Sequence, residues 1–315
     1  WLLGPGVYWQ MAQGPFWSLP LAPFLAAFGA AVLAGFTGIS WHRVFVPVLS
    51  GVLSTLFLGM LTEEGIFPLA ILTDVRVALG ILHPFDVVIV GMSFLAVAVA
   101  LVFRSYARDV ARVGLVGLLI YLFLPAYYRH EALVFGEHYA ETIGVSVAEV
   151  VALPQPLSVL NWRVIMVDEG GRVHDTLVNM RRHDVLDVVE GDSRARRIDA
   201  LYRPTDRAVW RVYRRYGQML NDMDVRRVVG AWRAWQETPY AWLSRFAVYE
   251  DLVLVPMAAG TQALCVQFMD LRYDGAREEQ KGQFVICPAK NGGAAVFRPS
   301  DDGEFTRWVP LKILG

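Results

Sequence analysis

Two groups of side chains in this sequence have the types and spacing that metal or acid–base chemistry uses. Glu63, Glu64, Asp74, His83 and Asp86 gather four carboxylates and one imidazole within a short segment. Oxygen and nitrogen donors of this kind hold a divalent cation when the fold makes them converge. Solvated or helix-capping carboxylates are the competing reading of the same residues. In the second group, His130 and the Glu137-His138 pair fall about two helical turns apart, with Glu131 beside them. With no third convergent His nearby, this group reads as an exposed helix face. His174 and His183 stand alone in the sequence, and neither a glycine-rich phosphate loop nor a nucleophile elbow occurs.

Cys265 and Cys287 are the only cysteines. Counting inward from each meets near Gly275 and Ala276, so an antiparallel hairpin would set them nearly opposite and admit a cross-strand disulfide. Two buried free thiols are the favoured reading, because a small misregister defeats that geometry.

The elements that must position these residues are set by composition. The chain has 315 residues, 55% of them hydrophobic, and a mean hydropathy of +0.38, richer in apolar residues than an ordinary soluble chain. Charged residues are sparse up to Phe103 and abundant after Arg129. The formal net charge of −1 supplies no general field for nucleic acid. The local clusters Arg194 to Arg197 and Arg211 to Arg215 read as solvated faces. The sequence opens at Trp1 without an initiator Met, as a processed product or a fragment would, and no positive n-region precedes an apolar core.

Apolar runs at Phe16–Gly38, Val44–Leu61, Val87–Phe103 and Val113–Tyr128 predict four membrane spans. Gly51 and Gly59 would allow close helix contact in the second. The stretch from Thr62 to Asp86 reads as re-entrant or interfacial. Arg104, Arg108 and Arg112 between the third and fourth runs, with His42 and Arg43 between the first and second, place those ends in the cytoplasm and the C-terminal part outside. The expected architecture is a polytopic α-helical membrane domain over residues 1–130, followed by an exoplasmic α+β domain over residues 131–315.

Within that second part, Glu131–Val151 has helical spacing, and WRVIMVDEGGRVHDTLVNM reads as a hairpin turning at Gly170-Gly171. Residues 205–237 read as a helical insertion, carrying the stripe Val209, Trp210, Val212, Tyr213, Tyr216 and Leu220 and then a second helix from Asp224. The stripe reads as packing. Strands resume at ALCVQFMDLRY and GQFVICPAK, joined by a charged turn from Asp274 to Lys281, and AAVFRP closes the sheet.

Several short motifs carry a resemblance. Pro154-Gln155-Pro156, Asn161-Trp162-Arg163, Ser244-Arg245-Phe246 and Asp270-Leu271-Arg272-Tyr273 succeed one another in the C-terminal part. Leu61-Thr62-Glu63-Glu64-Gly65, Pro68, Asp74-Val75-Arg76 and Asp86 mark the N-terminal part. In order and spacing these resemble the YdjM-like inner-membrane metal-dependent hydrolases, several of which belong to a LexA-regulated group. The resemblance implies a multi-pass protein of the bacterial inner membrane with a periplasmic C-terminal domain, and a hydrolytic metal centre built from His and Asp.

The ligand positions depart from that pattern. Overlaying Ser54–Gly59 on the family's Ser-His-x-x-x-Asp puts Thr55 at the His and Gly59 at the Asp. Overlaying Gln13–Leu19 on Arg-Gly-x-Thr-His-Ser-Leu puts Trp17 at another His. Indole, hydroxyl and glycine do not assemble a catalytic metal site. The expected function is therefore a catalytically degenerate family member, not an enzyme and without a cofactor, serving as a structural or accessory subunit of a membrane complex. Its partners would be the lipid bilayer and other membrane subunits. The rival is an active hydrolase binding a divalent metal through upstream residues with Glu63, Glu64, Asp74 or Asp86. A third reading is a sensor or lipid-binding protein.

Overall fold

The computed structural model describes residues 22–63, 65–69, 72–73, 75–84, 86–216, 222–238, 241–256, 262–273, 283–288, 294–299 and 305–308. The chain divides into two compact units, Trp1–Tyr127 with Leu311–Gly315, and Tyr128–Pro310.

In the first unit, α1 (Ala22–Thr37) and α2 (Trp41–Leu61) form a hairpin across Gly38, whose φ is +68°. Ala22, Ala26 and Ala30 recur every fourth residue and are buried, the spacing that lets two backbones approach. Gly29 is a close point, since a Cβ there would sit 3.2 Å from Val48 Cγ1. Gly51, expected at such a contact, has nothing within 4 Å. Beyond α2 the chain makes two isolated bridges, Thr62 with Leu82 and Ile66 with Val77. Gly65 is required there: its φ is +61°, and a Cβ would lie 2.3 Å from the Val77 carbonyl oxygen. Next come α3 (Val87–Val102) and, after a short 3₁₀ turn at Arg104–Tyr106, α4 (Ala107–Ile143).

The expectation of four spans is corrected by length. Among the described residues two helices are long and apolar enough to cross a membrane, Trp41–Leu61 and the run Arg104–Ile143. α3 has 16 residues, and so has the described part of α1, each about 24 Å at 1.5 Å per residue, against a hydrocarbon core of about 30 Å. Asp86 caps α3 at its start, and Phe103 leaves helical geometry at its end. Residues 16–21 of the first expected span lie outside the described residues. The helix expected to begin afresh at Glu131 is instead the continuation of α4, and it stops at Gly144, in the left-handed region at φ +66°. Val145 N–H donates to Ala140 and Gly144 N–H to Glu141, a glycine-terminated helix end. Residues 147–154, expected to be helical up to Val151, form a strand, β1 (Val147–Pro154).

The second unit is α+β, with two five-stranded sheets. The first has order β1-β2 (Asn161–Asp168)-β3 (Arg172–Asn179)-β4 (Arg203–Pro204), with β5 (Arg211–Arg214) also paired to β3. The β2–β3 hairpin turns where the glycines predict, with Gly171 at φ +77°. One face of this sheet, through Ala152, Trp162, Val164 and Val178, packs against Ala132 and Phe135 of α4. Gly136 allows the approach, since a Cβ would lie 2.6 Å from Val150 Cγ1 and 2.9 Å from Val164 Cγ1. The opposite face, through Val151, Leu153, Ile165, Val167 and Val173, meets Phe246, Val248 and Leu271.

The second sheet is an antiparallel ladder, β6 (Ala247–Pro256), β7 (Gln262–Asp270), β8 (Gln283–Pro288), β9 (Ala294–Pro299) and β10 (Phe305–Trp308). It does not close at β9, because β10 pairs outside it. Val266 pairs with Ile286, so the next pair outward is Cys265 and Cys287, with Cα atoms 4.6 Å apart and a disulfide between them. The charged turn Asp274–Lys281 lies outside the described residues.

The helical insertion over 205–237 is half corrected. Thr205–Arg207 is a 3₁₀ turn and Arg211–Arg214 is β5; the helix is α6, Asp222–Gln236. A period of 2 wins over 3.6 because Arg211 pairs with buried Asp175 across the strands while Tyr213 joins the apolar cluster. The short α5 (Arg194–Asp199) precedes β4.

Candidate functional site

Two of the three positions that the resemblance sets at metal ligands, Thr55 and Gly59, are occupied by helix packing. Thr55 Oγ1 donates to the Gly51 carbonyl at 2.9 Å, one turn back in α2. A Cβ on Gly59 would stand 2.7 Å from Ile66 Cγ2. Ile66 belongs with Ala22 and Leu56 to a buried apolar cluster, so a carboxylate at position 59 would enter apolar packing rather than an open coordination site. Trp17 lies outside the described residues. These residues do not fit a divalent cation. A Gly59→Asp substitution is expected to cost about 1 to 3 kcal/mol as overpacking and to lower the thermal midpoint of the full chain in micelles, while Ile66→Ala added to it recovers part of the loss.

The acidic candidates separate. Asp86 is spent on structure: Oδ1 accepts from Val88 N–H at 2.9 Å and Ile89 N–H at 3.0 Å, and Oδ2 accepts from the Tyr121 hydroxyl at 2.9 Å. Beside Glu63, the Arg76 guanidinium donates to the Glu63 backbone carbonyl at 2.8 Å. Glu64 and Asp74 lie outside the described residues. Glu131 pairs with Arg181, and His138 with Glu141 at 3.6 Å on an exposed face. Among the described residues no three His, Cys, Asp or Glu side chains come together as a metal group.

The motifs of the C-terminal part build a buried polar framework. Asn161 accepts from Asn179 at 2.6 Å and donates to Asp199, which Arg182 also holds. Gln155 accepts from the Tyr202 hydroxyl at 3.2 Å. Arg163 and Asp175 face each other at 3.5 Å with side chains 1% and 0% exposed, and Arg211 bonds the other oxygen of Asp175. Asp270 takes the Arg272 backbone N–H at 3.0 Å and its Nε at 2.9 Å. Asn161, Asn179, Arg163, Asp175, Asp270 and Arg272 are buried, whereas Asp199 and Arg211 are partly exposed at the framework's margin.

His174, isolated in the sequence, has neighbours in space. Its Nδ1 is 3.4 Å from the Tyr139 hydroxyl and its Nε2 3.6 Å from Asp168 Oδ2, while Asp168 takes Arg172 Nε at 2.6 Å. Trp210 stacks on Tyr139 with centroids 3.9 Å apart. Only the hairpin register could have signalled this: Met166 pairs with His174, so Asp168, two residues along β2, shares the face of His174. Burial opposes the Asp168 charge, but the Arg172 bonds outweigh it and hold the carboxyl below its usual range. Burial pushes the His174 imidazole down, with Asp168 offsetting part of that. The arrangement resembles a Tyr-His-Asp relay, yet His174 and Asp168 are buried, so it can exchange a proton but not touch a substrate.

A lowered imidazole value in the folded state means that protonation favours the unfolded chain. The folded state is therefore undiminished above about pH 6.5 and loses stability as pH falls from there through the folded-state value. The Asp168 contribution is lost only at lower pH, below the ordinary carboxylate range. Thermal midpoints recorded between pH 7 and 5 are expected to fall more steeply for the natural chain than for His174→Gln.

A pocket of about 560 Å³ opens elsewhere in the second unit, lined by Glu149, Arg215, Trp232, Gln236, Ser244 and Arg245 among others. Its positions come from β1, the end of β5, α6 and the 3₁₀ turn Ala241–Phe246. Arg245 bonds Glu149 Oε1, from Nε at 3.0 Å and from Nη2; the side chains are 54% and 39% exposed, so solvent screening leaves the pair about 0 to 1 kcal/mol. Arg215 donates to the Arg245 carbonyl at 3.1 Å and lies 5.1 Å over the Trp232 ring. Burial pushes its guanidinium down, against the neighbouring Tyr216 and Glu149. Ser244 accepts from Gln236 Nε2 and donates to the Ala241 carbonyl at 2.5 Å.

Fold and site together define a class: an α+β unit of two sheets on a chain that has, among the described residues, two helices long and apolar enough to cross a membrane. No family model, no curated protein and no solved structure matches the chain.

Proposed function

We propose that this chain is a non-catalytic relative of the YdjM-like membrane hydrolases, serving as a structural or accessory subunit of a bacterial inner-membrane assembly. One observation carries the reading: the places aligned with metal ligands, Thr55 and Gly59, are filled by a helix-internal hydroxyl bond and by the packing of Ile66. Asp86, the carboxylate on which a compensating site would draw, is committed to capping α3 and to Tyr121.

Placement rests on two further features. Arg104, Arg108 and Arg112 precede the apolar part of the long helical run, which favours a cytoplasmic start and a periplasmic C-terminal unit. The Cys265–Cys287 disulfide suits the oxidising side of that membrane. Outward-facing Phe94, Leu95, Leu101, Leu119, Ile120 and Phe123 on α3 and α4 supply apolar surface for lipid or partner helices.

Native mass measurement of the full chain extracted from its own membranes tests this. The expected result is a single larger assembly of fixed stoichiometry. A lone monomer that hydrolyses an ester or phosphoester in a metal-dependent way would overturn it in favour of the active enzyme.

A further inference from the structure

We propose that the pocket between Arg215 and Arg245 is a binding site for a phosphoryl oxyanion, a property separate from the subunit role above. The first observation is charge. Two guanidinium groups line the pocket, and Glu149 is the carboxylate that acts on both.

The second observation is unmet bonding. Of the pocket's two guanidinium groups, Arg215 has its Nε sealed from solvent with no acceptor among the described residues. A buried guanidinium donor normally finds an acceptor.

The third observation is shape. A volume of about 560 Å³ falls in the range of small-molecule sites, roughly 300 to 1,000 Å³. Trp232 underlies Arg215 and holds its planar fork, and Arg forks match the oxygens of a phosphoryl group in pairs. Arg245, tied to Glu149 at an exposed rim, is the group that an incoming anion recruits by competing with that carboxylate.

The competition makes a sharp test. Full chain is titrated with inorganic phosphate and with glycerol phosphate in micelles, and is then placed in nanodiscs of phosphatidylglycerol or phosphatidylcholine, all at matched ionic strength against chloride. Saturable binding of the soluble anions, weakened about tenfold by Arg245→Gln, identifies a soluble phosphoryl ligand. Stabilisation by phosphatidylglycerol alone, lost in the same variant, identifies a lipid headgroup. Glu149→Gln is expected to tighten binding, because it frees Arg245, whereas a purely structural ion pair would give only a loss of stability. Arg215→Gln is expected to abolish binding; where it fails to fold, Arg245→Gln and Glu149→Gln decide alone. No response to any of the four additions, or weaker binding in Glu149→Gln, would overturn the proposal.

Discussion

Replacing Arg163 by Met is expected to destabilise the α+β unit by about 3 kcal/mol or more. The Arg163 and Asp175 side chains are essentially inaccessible and face each other in the middle of the first sheet. Removing the cation leaves a buried carboxylate whose remaining partner, Arg211, is 39% exposed and holds it from one side. The charge then loses much of its compensation while its desolvation stays. The double variant Arg163→Met with Asp175→Leu removes both charges and recovers most of the loss, since apolar replacements of a buried pair are commonly near neutral. Chemical denaturation of the full chain in micelles, followed by near-ultraviolet circular dichroism, checks both. Equal destabilisation by the single and double variants would mean that packing, not charge, holds this position.

The second large effect lies at Trp235. It is fully buried on α6, with ring centroids 5.4 Å from Phe268 and 5.8 Å from Phe284 of the second sheet and 5.9 Å from Trp232. Trp235→Ala empties the contact between α6 and that sheet and is expected to cost about 3 to 5 kcal/mol. Trp235→Phe is expected to cost far less than its lost volume suggests. The indole N–H meets no acceptor among the described residues, and removing an unsatisfied buried donor offsets part of the cavity. The same denaturation measurement orders the three proteins as natural, Phe and Ala, with Phe close to the natural chain.

Local patterns make part of this molecule legible. Gly170-Gly171 between two alternating runs marks the β2–β3 hairpin, and the centre of β7 and β8 falls where counting inward from the cysteines puts it. The disulfide needs that register to hold without slippage, which no count guarantees. The third apolar run, Val87–Phe103, ends within one residue of α3, so its bounds are legible; what fails is its reach, since 16 helical residues cover about 24 Å of a core about 30 Å thick. The opposite case is Tyr127-Tyr128-Arg129, where polarity changes but the backbone continues as one helix through Ile143. β5 is hidden because the same residues satisfy periods of both 2 and 3.6, and only the partner strand β3 decides between them. Neither the His174 cluster nor the arginine pocket has a local signature, since each draws residues from elements far apart in sequence.

The central claim of the proposed function is that the chain holds no hydrolytic metal centre, because Thr55 and Gly59 are engaged in helix packing. Metal content together with hydrolysis, measured on full chain loaded with zinc or manganese and then desalted, tests it most directly. The account predicts substoichiometric metal and no turnover above blank, unchanged in Glu63→Gln and Asp86→Asn. One metal ion per chain, with hydrolysis that disappears in either variant, would contradict it.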